Sequence, residues 1–133
     1  MERSQKFIVE GEPIPLQRAR RARNIFYDPQ FRAKQNFSWI VKRALEPFEP
    51  ISSPIKMKVE FHMPIPKSLS LKKRISLINH PHTKTKDIDN LCKFLFDALN
   101  KIVWEDDCLI WNVQAIKIYS ETPKTVCELT YDV

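Results

Sequence analysis

The sequence predicts an α+β domain in which a mixed or antiparallel sheet packs against two main helices. Three observations carry that expectation. Residues 55–63 alternate apolar and polar side chains with period two, as a half-buried strand does. Two longer stretches, 29–45 and 89–102, place their apolar residues at helical spacing. Two further apolar alternations close the chain, so the predicted order is strand, helix, strand, helix, strand, strand. At 133 residues the chain is read as one domain, residues 1–133, long enough to bury its own core.

Each element has a local reason. A first strand at 7–9 ends at Gly11, the sole glycine, and at Pro13 and Pro15. The first helix puts Phe31, Ala33, Phe37, Ile40, Val41 and Leu45 roughly on one stripe, and Pro47 and Pro50 stop it. The strand at 55–63 follows. Pro64, Pro66 and Pro81 then bracket a long basic connection read as irregular, with room for a helical turn or two within 68–77. Asp89 serves as a helix N-cap, and Leu91, Phe94, Leu95, Ala98, Leu99 and Ile102 share a stripe that ends near Lys101 or Ile102. In the strand at 110–119, Trp111, Val113, Ala115 and Lys117 oppose Ile110, Asn112, Gln114, Ile116 and Ile118. Pro123 turns the chain into the last strand, 126–131.

Composition removes several function classes. A single glycine cannot build a dinucleotide fingerprint, a Walker loop or a nucleophile elbow, all of which need backbone to approach closely at several glycines. No apolar run reaches the roughly 18 residues of a spanning helix, and residues 1–6 lead into no signal-like core. A cytoplasmic protein with no membrane partner is expected. Three cysteines, Cys92, Cys108 and Cys127, form no close pair and read as small buried thiols in a reducing compartment. His80 and His82 with Cys92 and Cys108 match no usual zinc spacing. Trp104 and Trp111 read as core or interface anchors.

Charge is uneven along the chain. Residues 1–45 carry ten Lys or Arg against four Asp or Glu, and so hold all of the net +6. The densest part is Arg18, Arg20, Arg21 and Arg23. A second acid-free stretch, 61–86, holds Lys67, Lys72, Lys73, Arg74, Lys84 and Lys86. Both precede an acidic cluster: Asp87 and Asp89 are two apart, on one face of an extended segment, and Glu105, Asp106 and Asp107 return a little later. Carboxylates pressed together conflict unless a cation joins them, and hard oxygen donors select Mg²⁺ or Mn²⁺. Basic flanks around such acids suit a polyanion whose scissile phosphate meets the metal. A solvated charge run would look similar, and Asp89, Lys93, Asp97 and Lys101 fall at the i, i+4 spacing of an exposed salt-bridge ladder.

The run Lys86-Asp87-Ile88-Asp89-Asn90-Leu91-x-Lys93, then Phe96-Asp97-Ala98-Leu99, then Trp104-x-Asp106-Asp107, resembles the RusA family of Holliday junction resolvases. Upstream, residues 11–20 with Tyr27-Asp28-Pro29 are similar to the N-terminal segment of Gram-positive and phage-type members. The resemblance implies a RusA-like, Mg²⁺-dependent endonuclease acting as a homodimer on branched, four-way DNA. Asp87, Asp89 and Asp107 would then be the metal-binding acids and Lys93 the essential lysine. The basic loop before Asp87 is long for the family. Two other readings stay open: a metal-dependent nuclease for another branched or single-stranded substrate, and a DNA-binding protein without nuclease activity.

Overall fold

The computed structural model describes residues 1–18, 20–22 and 25–133. Strands β1 (Glu2–Glu10), β4 (Ile55–Pro64), β5 (Ile110–Ser120) and β6 (Lys124–Asp132) form a four-stranded sheet in the order β1-β6-β4-β5. The sheet is mixed: β6 runs antiparallel to both neighbours, while β4 and β5 are parallel. A parallel pair needs a crossover, and helices α2 (Leu71–Leu77) and α3 (Ile88–Leu99) lie within it. Helix α1 (Phe31–Ala44) precedes β4. Strands β2 (Arg20–Ala22) and β3 (Ile25–Tyr27) pair separately as a short antiparallel ribbon that the sequence reading did not anticipate.

One face of the sheet is covered and the other is open. Ile55, Met57, Val59, Phe61 and Met63 of β4 are buried, while the alternate Lys56 and Lys58 are exposed. Phe7 and Val9 of β1 and Cys127 and Leu129 of β6 extend the buried face. Helices α1 and α3 cover it with Phe37, Val41 and, from α3, Leu91, Phe94, Leu95, Ala98 and Leu99. Phe37 and Phe94 meet edge to face at 5.7 Å, which joins the helices over the sheet. Trp104 is fully buried and so is a core anchor, although its Nε1 finds no hydrogen-bond partner.

Several sequence expectations shift. β1 runs the full length of β6, well beyond residues 7–9, because its polar first half still pairs by backbone. Phe31 and Ile40 are exposed, so the buried stripe of α1 is narrower than predicted. The N-cap of α3 is Asp87 and not Asp89, which lies in the first turn. That helix ends at Leu99, where Lys101 adopts a left-handed φ of 66°, and Ile102 is left part-exposed. In β5 the register shifts where Ile55 faces Ile110 and Lys56 faces Asn112, so Trp111 is an extra residue. That irregularity lets Ile110 and Ala115, predicted on opposite faces, both pack on the core. Of the thiols, only Cys127 is buried, and Cys108 is exposed.

Candidate functional site

The crossover between β4 and β5 carries Asp87 and Asp89 at the start of α3, Asp97 near its end and Asp107 in the turn that follows. Asp87 has the extended backbone of an N-cap, yet its side chain makes no capping hydrogen bond. Lys86 just before it takes a φ of 82°, an uncommon conformation for a side chain with Cβ. Lys117 of β5 holds that loop in place: its Nζ donates to the carbonyls of Lys84 at 3.1 Å and Lys86 at 2.8 Å. Sequence reasoning missed this role, since the Lys117 position looked like one more alternating strand residue. The Lys86 ammonium is itself engaged by Glu12.

Asp87 and Asp89 line one open cavity of about 620 Å³ with His82, Thr83, Lys84 and Lys117. The pair does not stand on an extended segment. Instead the N-cap and the first helical turn carry it. Asp89 meets Lys93 at 3.8 Å, one turn on, with both side chains exposed. Asp97 continues the same stripe and faces Lys34 of α1 at 3.6 Å. Lys34 also holds Asp28 at 2.7 Å, and this ammonium keeps the Asp28 carboxyl below its usual range.

Asp107 opens a 3₁₀ turn, Asp107–Leu109, and its amide donates to Asn100 Oδ1 at 3.0 Å. Asp106 caps that turn through the Cys108 amide at 3.0 Å, which lowers its carboxyl pKa. Asp107 is shifted the other way. Partial desolvation, a hydrogen bond that its protonated carboxyl donates to Asp106, and the charges of Asp106 and Asp97 raise it. Asp107 therefore belongs to the Asp97 end of the stripe, whereas Asp87 and Asp89 sit at the other end. Among the described residues, no three His, Cys, Asp or Glu side chains stand close enough to hold one metal ion together. In donor chemistry the acids do suit a hard cation, being solvent-accessible carboxylates, of which Asp87 is not drawn into helix capping.

The basic residues are distributed more widely. Arg18 and Arg21 are exposed, and the Arg21 guanidinium lies 5.7 Å from the centre of the Phe26 ring. Arg20 is the first residue of β2, and Arg23 lies outside the described residues. Ile25, Phe26 and Tyr27 are also exposed, Phe26 at 71%, so the ribbon offers apolar as well as cationic groups. On α2, Lys72 and Lys73 are exposed, and Arg74 reaches back to the Pro66 carbonyl at 3.3 Å. Lys84 is exposed at the cavity rim.

An α+β chain with an acidic helix start inside a parallel crossover, flanked by basic segments, has the layout of a protein that acts on a polyanion. The family model for endodeoxyribonuclease RusA matches residues 10–130. The chain is also 31% identical over 129 residues to YqaN of Bacillus subtilis (strain 168), described as uncharacterized, with 90% of each chain covered. This chain belongs to the RusA endodeoxyribonuclease family. Among the described residues no helix is long and apolar enough to cross a membrane.

Proposed function

We propose that the protein is a divalent-metal-dependent endodeoxyribonuclease that resolves four-way DNA junctions by paired nicks, in recombination and repair, as a homodimer. Family membership supports a nuclease acting on DNA, and nucleases of this family use divalent metals. The observation that carries the reading is Asp87. At an N-cap, an aspartate that bonds a free amide stabilises its helix by about 1 kcal/mol, and Asp87 forgoes that bond. Its carboxylate instead shares a cavity with Asp89. A residue placed against stability in an open cavity is placed for a ligand.

In this reading Asp87 and Asp89 would hold Mg²⁺, or Mn²⁺, and Asp107, the third acid by family resemblance, would have to close on them from the Asp97 end of the stripe to complete the site. Held there, such a cation would acidify water and stabilise the charge that develops at the scissile phosphate. Lys93, an exposed ammonium within a turn of Asp89, orients the attacking water or lies against that phosphate. Arg18, Arg20, Arg21, Lys72, Lys73 and Lys84 neutralise backbone phosphates. The dimer supplies two sites related by a two-fold axis, as two symmetric cuts require. Of the two tryptophans read as core or interface anchors, Trp104 is consumed by the core, while Trp111 is 63% exposed on edge strand β5 beside exposed Val113. The second half of that edge is partly covered, because residues 79–82 exchange backbone hydrogen bonds with Lys117 and Tyr119. The interface is therefore assigned to the first half of β5.

The test is incubation with labelled four-way junction, linear duplex, flap and single strand, each with Mg²⁺ and with EDTA. Symmetric nicks in the junction alone, abolished by EDTA, are the expected outcome. Equal cutting of flap or single strand would move the substrate to another branched or single-stranded DNA, and binding without any cutting would leave a DNA-binding protein.

A further inference from the structure

The short ribbon and helix α3 are tied together by polar groups that the catalytic reading does not use. On the entering side of the ribbon, the Leu16 amide donates to the Asn90 carbonyl in the first turn of α3 at 2.9 Å. The next amide, Gln17, donates to Gln30 Oε1 at 2.8 Å, and Gln30 Nε2 donates to the Pro15 carbonyl at 2.8 Å. On the leaving side, Asp28 accepts from the Gln30 amide at 2.9 Å and from Lys34 Nζ at 2.7 Å. Lys34 then reaches Asp97 of α3 at 3.6 Å. Its side chain is only 17% exposed, unlike the loose Asp89–Lys93 pair. A lysine held between two carboxylates, one at each end of a gap between elements, fixes a distance that neither backbone fixes alone.

We propose that Lys34 is a positioning residue: by bridging Asp28 at the ribbon root to Asp97 on α3, it sets the ribbon's distance from the acidic helix. DNA gripped by the ribbon is thereby presented to the α3 carboxylates at one phosphodiester. The proposal rests on the nuclease reading for its consequence, although the bridge is a property of the free protein. Lys34 touches neither substrate nor metal in this account. Its effect passes through Asp28 and Asp97. Gln30 secures the other root of the ribbon in the same way, through Pro15 and Gln17. Misplacement of a reacting phosphate by as little as roughly 1 Å can cost on the order of 100-fold in rate, so a fixed spacing matters more than the modest strength of one ion pair.

Lys34→Met keeps the aliphatic stem and removes the ammonium, and Lys34→Arg restores a cation. Junction binding is measured in EDTA over a salt series, and cleavage is measured with Mg²⁺ at saturating protein. Lys34→Met should bind within about twofold of wild type with the same salt slope, because the phosphate-facing cations are intact. Its cleavage of bound junction should fall by roughly ten- to a hundredfold. The cuts should spread over adjacent phosphodiesters, and Lys34→Arg should return them to one position. A Lys34→Met protein that cuts at the wild-type rate and position overturns the proposal, as does one whose binding falls in proportion to cleavage. If wild type cuts no DNA with Mg²⁺ or Mn²⁺, it is the nuclease reading that fails. The bridge is then judged by amide exchange in free protein, where Lys34→Met should speed exchange at Gln30 and Phe31, both bonded to Asp28, and leave the β4–β6 ladder unchanged. Unaltered exchange at Gln30 and Phe31 in that case rejects the positioning role.

Discussion

At the scale of single residues, the proposed metal acids and Lys93 give opposing signatures for catalysis and stability. Asp87→Asn, Asp89→Asn and Asp107→Asn should each abolish Mg²⁺-dependent cutting while junction binding holds or tightens, since each removes a donor and a negative charge near phosphate. Gel-shift and cleavage assays on the same junction check this, and continued cutting removes that residue from the set. Lys93→Ala should lose cleavage with an almost unchanged melting temperature, because an exposed i, i+4 pair contributes only about 0.3 to 0.5 kcal/mol. His82 gives a different kind of prediction. Burial, and then the Lys117 ammonium, hold its imidazole below the ordinary value. The unfolded chain therefore takes up a proton first, so stability is full above pH of about 6.5 and falls as the pH drops toward the folded-state value. Urea midpoints at pH 7.5 and pH 5.5 should differ more for wild type than for His82→Gln. Acidic spacing marked Asp87, Asp89 and the 105–107 run as candidates, and only the family resemblance picked out Asp107 and Lys93. Neither could disclose Lys117, Lys34 or Gln30, whose partners lie far off in sequence.

At the scale of elements, strong periodicity was legible and special geometry was not. The strand at 55–63 and the two main helices stand where their apolar repeats put them, and the helical turns within 68–77 form α2 behind a Ser70 cap. The ribbon was hidden because its six paired residues are too few for a period, and Ile25, Phe26 and Tyr27 form an unbroken apolar run. Its basic residues yield a test that needs no catalysis. Replacing Arg18, Arg20 and Arg21 with Gln should weaken binding to all DNA forms and flatten the dependence of log affinity on log salt by about 0.9 for each phosphate that is no longer neutralised. An unchanged slope would place the ribbon off the DNA. The N-cap of α3 was misplaced by two residues because Asp87 and Asp89 are both good caps by type. Only the backbone angles separate them.

At the scale of the whole molecule, the α+β class and a mixed or antiparallel sheet were expected, but the parallel pairing of β4 with β5 was not specified by alternation, which reads the same in either direction. That pairing leaves β5 at an edge, with Trp111 and Val113 exposed on it. For the proposed homodimer, Trp111→Glu should yield a monomer in sedimentation while keeping the wild-type melting profile, and should convert paired junction cuts into single nicks. A mixed dimer of wild-type and Asp89→Asn subunits should bind the junction normally and nick one strand per binding event. Paired cuts from the mixed dimer would instead assign both cuts to one subunit. The strand order has a further outcome, for the order in which the chain assembles. β6, the last strand in chain order, fills the gap between β1 and β4, so until it arrives the sheet is two separate pieces. Its ladders join residues as distant as Phe7 and Cys127, and closures that long are slow. The apolar face of α3, the helix that carries the acids, packs on a sheet that β6 completes. A chain still emerging from the ribosome thus carries the acidic motif without the framework on which the proposed activity depends.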